Sequence, residues 1–256
     1  RPAGGVPAPP PNVTGEAMEN VLTMAQRELG AYFLSPIAYV VNAIFLFTAG
    51  LVFALGVFQP GEEASLRFLF DFWLVLILML VMPMLTMRLV SEEFRTGTIE
   101  TLMTAPITEI EVVIGKFFAA LGFFFALLAT LLLYPIILSL YGQVDFTLMI
   151  CNFMGLVLLG SVYIAIGLFF SACTKHQVVA VLLTVGVLAF MTFAFGPLAQ
   201  LAEGVPRVVL QQLSIRSHFH DFVRGLVDVN HFVFFLSTTG LFLFLTVKRL
   251  EMRRWQ

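Results

Sequence analysis

The stretch Ser91–Ala120, SEEFRTGTIETLMTAPITEIEVVIGKFFAA, is a polar interruption between two long apolar runs, and it carries dense helix punctuation. Arg95 falls in a last helical turn, where a cation suits the negative end of the macrodipole, and Gly97 is free to take the left-handed position that ends a helix. Thr98 is then placed to cap a short helix, about Ile99 to Met103, with Glu100 in its first turn. That helix must stop by Ala105, because Pro106 disfavours helical geometry in the residue before it. Thr108 and Glu111 have the S/T-x-x-E spacing of a capping box, and Ile107 and Val112 occupy the positions of a hydrophobic staple, so a further helix begins at once. The stretch reads as one span, a short crosswise helix and a second span, joined with almost no slack.

Composition sets the class. The chain is 59% hydrophobic and 12% charged, with a mean hydropathy of +0.96. Globular domains are about half apolar and a quarter charged, and a soluble fold of this size has no room to hide the excess. This is the composition of an integral membrane protein. The net charge of −2, with no basic patch interleaved with aromatics, gives no sign of nucleic-acid binding.

Residues 1–17 are rich in Pro, Gly and Ala and read as a disordered tail, with Met18 a candidate start of the native chain. From 19 to 34 the apolar residues Val21, Leu22, Ala25, Leu29 and Tyr32 recur at helical spacing, which predicts an amphipathic helix in the membrane interface or against a partner's surface. Ser35-Pro36 then turns the chain into the bilayer. Six apolar stretches follow, at about 37–58, 68–90, 110–138, 147–172, 177–198 and 230–248, each near or above the length of about 20 residues that crosses a bilayer. Pro83 and Pro135 should kink or loosen two of them. Thr174-Lys175-His176 makes the fourth and fifth a tight hairpin. The polar segment 199–229 cannot span and should form short amphipathic helices, Val208–Leu213 and Phe219–Leu226. With both termini placed in the cytoplasm, nine Lys and Arg (Arg27, Arg88, Arg95, Lys116, Lys175, Lys248, Arg249, Arg253, Arg254) lie inside, against four outside (Arg67, Arg207, Arg216, Arg224).

Candidate chemistry is sparse. Gly115-Lys116 is the one Gly-Lys pair, and it lacks both the preceding glycine and the following Ser or Thr of a phosphate-cradling loop, so the chain carries no ATPase motif. Lys116 reads as a cytoplasmic anchor. The spans hold almost no ionisable residue apart from Asp71 near an outer end, which argues against a proton path or an ion pore. Ser161, Ser171 and Ser237 have no His or Lys placed beside them and read as packing or hydrogen-bonding residues. Cys151 and Cys173 stand 22 residues apart on one span, about 33 Å, too far to bridge. His218 and His220 do not share a helix face, so with Asp221 they read as solvated polar groups rather than metal ligands. Glu92 and Glu93 allow both local pairing with Arg88 and Arg95 and contact with a partner's basic residues.

EEFRTGTIETLMTAPITEIEVVIGKFFAA resembles the segment between the second and third spans of ABC type-2 permeases, the membrane subunits of many bacterial ABC exporters. Ser217–Trp255, SHFHDFVRGLVDVNHFVFFLSTTGLFLFLTVKRLEMRRW, is similar to the gliding-motility branch of that family, and the likeness covers about 19–255. The resemblance implies an all-α integral membrane protein of the bacterial inner membrane with both termini cytoplasmic. A six-span permease domain would occupy 37–249 and a cytoplasmic tail 250–256. It further implies a coupling helix at 97–106, with Arg95, Gly97, Thr98, Ile99, Glu100, Thr101, Leu102, Met103 and Pro106 seated on a cytoplasmic ATPase. His218, His220, Asp221 and Arg224 would belong to an outer gate. The partners it implies are two ATPase subunits, which bind ATP and Mg, a second permease chain and the bilayer; no cofactor is expected in this chain. A non-transporting scaffold or mechanotransmitter is the alternative, and a channel or enzyme fits less well.

Overall fold

The computed structural model describes residues 13–56, 68–98, 107–140 and 145–254, and these residues are helical almost throughout. Helix α1 is Val13–Leu34 and α2 is Pro36–Gly56. A π-helical turn, Leu69–Trp73, leads into α3 (Leu74–Thr86), which is followed by α4 (Arg88–Thr96). Next come α5 (Glu109–Leu131), α6 (Leu133–Ser139) and α7 (Phe146–Cys173). Helix α8 (Gln177–Ala189) passes through a second π-helical turn, Phe190–Ala194, into α9 (Phe195–Leu201). The short helices α10 (Val205–Leu213) and α11 (Ile215–Val223) precede α12 (Val229–Arg254). Six of these segments are long and apolar enough to cross a membrane: Pro36–Gly56, Leu69–Thr96, Glu109–Ser139, Phe146–Cys173, Gln177–Leu201 and Val229–Arg253. Each overlaps one of the six apolar runs.

Helix α7 is the axis of the bundle and packs on α3, α4, α5, α8, α11 and α12. Its apolar residues are not confined to one stripe, as expected of a helix surrounded by other helices. Close approach comes from its glycines. A methyl group at Gly160 would collide with the Phe124 ring, and one at Gly167 would collide with the Thr86 hydroxyl. One at Gly155 would stand 2.8 Å from Phe222 Cβ. Small residues at such points let helices pack where lipid supplies no hydrophobic drive between them.

The interruptions have local causes. Pro135 lacks an N–H for Leu131 O, and α5 ends at Leu131. The second span instead runs through Pro83 and breaks one turn later, at Met87. There the Ser171 hydroxyl donates to Met87 O (2.8 Å) and accepts from the N–H groups of Val90 and Ser91 (both 3.1 Å). One side chain from α7 thus satisfies three backbone groups at the break. The Ser161 and Ser237 hydroxyls donate within their own helices, to Val157 O and Phe234 O.

Both ends of the chain depart from expectation. Helix α1 begins at Val13, inside the stretch read as a disordered tail, because Ala17, Met18 and Glu19 are good helix formers that continue it backwards. Its buried face is Met24 and Tyr32, with Val21, Ala25 and Leu29 half-buried, and it packs along α5; Leu22 is exposed. The stripe assigned to the interface is therefore largely taken up within the chain. At the other end, α12 continues to Arg254 rather than releasing a tail at 250, since Leu250 is buried and Arg253 caps α7 through Cys173 O (3.1 Å). The segment 199–229 holds α10 and α11, which start three and four residues earlier than expected.

Gly167→Val should wedge α7 from α3 and cost about 1–3 kcal/mol. Thermal unfolding of the detergent-purified protein checks this, and an unchanged midpoint would refute the packing role.

Candidate functional site

The functional residues expected from sequence fall at the two ends of the bundle. At one end, α4 runs towards the 97–106 segment and α5 runs away from it. Gly97 adopts φ 77°, the left-handed conformation that ends α4, and the Thr96 hydroxyl donates back to Glu92 O (2.9 Å) while lying 2.9 Å from the Thr98 hydroxyl. Ile99, Glu100, Thr101, Leu102, Met103 and Pro106 lie outside the described residues. On the far side, Thr108 and Glu111 form the complete capping box: Glu111 N–H donates to Thr108 Oγ1 (3.3 Å) and Thr108 N–H to Glu111 Oε2 (3.1 Å). Arg95 is exposed and 3.8 Å from Glu92.

The base of this segment is held by a cluster that sequence reasoning missed. Lys116, on α5, is only 1% exposed. Its ammonium donates to Glu93 Oε1 of α4 (2.7 Å) and to Glu28 Oε1 of α1 (2.8 Å). It is thus an internal bridge, not a snorkelling anchor, and Glu93 faces inwards rather than towards a partner. Burial explains the reversal: α1 covers the face of α5 on which Lys116 would otherwise reach water.

Helices α1 and α5 run in the same direction. Asn20 Nδ2 donates to Glu111 Oε2 (3.4 Å), Met24 fills the space left by Gly115, Leu29 abuts Gly122, and Tyr32 stacks on Phe123 with centroids 5.3 Å apart. The capping box is therefore tied to α1 as well. Burial pushes the Tyr32 phenol far above its ordinary pKa, so it remains a donor, to Leu85 O at 2.9 Å. Arg88 lies over the Tyr32 ring (4.9 Å) and donates to Ser35 Oγ (2.8 Å) instead of pairing with Glu92. Arg253 reaches in from α12 to cover Phe94 at 4.2 Å. One polar layer thus joins α1, α3, α4, α5, α7 and α12.

At the opposite end, three of the expected gate residues, His218, His220 and Asp221, are paired within the protein, and His218 alone of them is buried. His218 is buried and stacks on Phe234 with centroids 4.1 Å apart. Its Nε2 lies 3.0 Å from Gln212 O and its Nδ1 lies 2.7 Å from His231 Nδ1. Burial holds its imidazole below the ordinary value, so His218 is neutral at pH 7. With Nε2–H donating to Gln212 O, its Nδ1 accepts from His231, whose Nε2 faces Asp221 Oδ2 at 3.3 Å. His220 points the other way, to Asp71 Oδ1 of the second span (2.5 Å). Arg224 is exposed and lines a cavity of about 430 Å³ beside that pair. Asp71 and His231 were not foreseen as partners, because 149 and 13 residues separate them from the histidines they meet. Cys151 and Cys173 are both free. Among the described residues, no three His, Cys, Asp or Glu are grouped to hold a metal.

Six helices long and apolar enough to cross a membrane, with polar layers at both ends, define a multi-pass membrane protein. Residues 74–247 match the family described as ABC-2 family transporter protein. The chain belongs to that family, whose members are transmembrane subunits of ABC transporters and are not themselves ATPases. No curated protein matches it.

Lys116→Met should strand two carboxylates beside each other and cost about 3–5 kcal/mol. Adding Glu28→Gln and Glu93→Gln should recover most of that loss in detergent melting. A single variant as stable as wild type would show that the cluster does not hold these helices.

Proposed function

We propose that this chain is one of two permease subunits of an ATP-driven exporter in a bacterial inner membrane. In this reading a separate cytoplasmic ATPase binds ATP and Mg and docks on the 97–106 segment. Closure of two ATPase subunits pushes that segment, the spans tilt, and a path opens outward past α10 and α11.

The observation that carries the reading is the fixed geometry on both sides of 97–106. Helix α4 ends in a left-handed glycine, α5 begins in a complete capping box, and Lys116 bridges α4, α5 and α1 behind them. Displacement at such a segment has little slack in which to dissipate. In the helix that the sequence predicts there, Ile99, Leu102 and Met103 would share one side at i, i+3 and i+4 spacing, an apolar knob suited to a partner's groove. The exposed face of α1 would meet the cytoplasmic headgroups. The first, fifth and sixth spans leave most of their surface uncovered, which suits contact with lipid and with a second permease chain. The likeness of Ser217–Trp255 supports a place in the gliding-motility branch.

Cytoplasmic placement of this end follows the Lys and Arg bias. Thr98→Cys should react with an impermeant thiol reagent only after permeabilisation, whereas Gly61→Cys and Gly142→Cys react in intact cells. Labelling of Thr98→Cys from outside would reverse the orientation.

Leu102→Asp should leave insertion and melting of the isolated permease unchanged while costing about 2–5 kcal/mol in the docked contact. Loss of ATPase co-purification, or of coupling between hydrolysis and transport, is the expected result. Normal binding with full activity would remove 97–106 from the mechanism.

A further inference from the structure

We propose that α11, with the adjoining ends of the second and fifth spans, binds the anionic head group of an amphiphile, a phosphate or carboxylate carried on an apolar tail. The inference rests on the end of the bundle opposite Lys116 and does not depend on how the ATPase docks.

Both π-helical turns among the described residues, Leu69–Trp73 and Phe190–Ala194, pack on α11. Such widened turns are rare in helices and gather at functional sites. Here they set Phe72 of one span and Phe193 of the other 5.8 Å apart, centroid to centroid. Between the fifth span and α11 lies a cavity of about 330 Å³, lined among others by Thr192, Phe193, Pro197, Ser214, Arg216 and His220. The volume suits a head group rather than a whole lipid.

Arg216 gives the cavity its charge. Its guanidinium lies over the Phe72 ring at 5.4 Å, and among the described residues it has no carboxylate partner. Asp71, on the same span as Phe72, is taken by His220 at 2.5 Å. Glu203, on the link between α9 and α10, is exposed and makes no ion pair with it. Arg216 also stands in the first turn of α11, a nine-residue helix capped by Ser214, where the helix dipole adds positive potential. The Ser217 hydroxyl is already committed to backbone carbonyls and Thr192 to Tyr163, so the guanidinium fork is the main free donor set. A planar fork with no counter-charge is suited to two oxygens of one anion.

The surroundings choose an amphiphile over a free ion. Phe193 and Pro197 form an apolar wall. On α9, which borders the cavity, Leu198 and Leu201 are exposed, as are Val205 and Val208 on α10, which packs against α9. A head group on Arg216 can therefore leave its tail along α9 and α10.

The test is binding of dodecyl phosphate to the full chain, purified in a neutral maltoside detergent at pH 7 and read by native mass spectrometry and thermal shift. Saturable binding is expected, weakened about tenfold or more in Arg216→Gln and unchanged in Arg207→Gln on α10. Dodecanol, with the same tail and no charge, should bind at least about tenfold more weakly to wild type, a comparison that needs no variant. Inorganic phosphate separates the sources. Failure to compete at matched concentration assigns the site to a lipid or lipid-like head group, whereas equal competition assigns the same anion site to a soluble phosphate. Equal binding of dodecanol and dodecyl phosphate, or undiminished binding by a folded Arg216→Gln, would overturn the proposal.

Discussion

A single ammonium group, that of Lys116, decides how the polar end of this bundle is built. Taking it out of water carries a desolvation cost of several kcal/mol, and only close, well-aligned carboxylates offset it. Two are present, at 2.7 and 2.8 Å, and they belong to different helices. That geometry requires α1 to lie along α5 and α4 to turn its acidic face inwards. It also joins α4 to α5 at the base of the segment between them. The neighbouring contacts repeat the pattern, since Arg88, Tyr32, Ser171 and Arg253 each link two elements through a polar group held away from solvent.

Between the two polar layers the bundle is apolar and close-packed, and α7 passes through both. Ser171 near one end of α7 satisfies the broken backbone at Met87, and Gly155 near the other accepts Phe222 of α11. A packed interior resists gradual deformation and moves between discrete arrangements. A helix gripped at both ends in this way is a means of relating the two layers across the membrane. The two π-helical turns occur where the second and fifth spans meet α11, so both lie at the layer opposite Lys116.

What could be read from sequence follows the reach of each interaction. The Thr108–Glu111 box and the left-handed Gly97 are settled within a few residues, and both were legible. The six spans were legible because hydropathy and length act on each segment separately. Lys116 was misread because its partners stand 88 and 23 residues away and nothing local marks them. The His220–Asp71 pair, 149 residues apart, was hidden for the same reason, since α11 is polar when taken alone. The periodicity of α1 announced an apolar face correctly but could not say whether lipid or α5 would cover it. Leu250 marked the continuation of α12 by one turn, but among Lys248, Arg249 and Glu251 a lone leucine is a weak signal.

The partnership of α1 with α5 also fixes an order of events during synthesis. Glu28 is made 88 residues before Lys116, and chains grow at roughly 5–20 residues per second, so α1 waits about 4–18 s for the helix that will cover it. Through that interval Met24 lacks the Gly115 surface it will fill, and the carboxylate of Glu28 lacks its Lys116 partner. The third span must enter the bilayer beside an α1 that is already made, and its lysine gains the second of its two carboxylates only as the two meet. Insertion and assembly are therefore coupled at this point: the residue least welcome in the hydrocarbon of the third span becomes acceptable through a helix that was finished first.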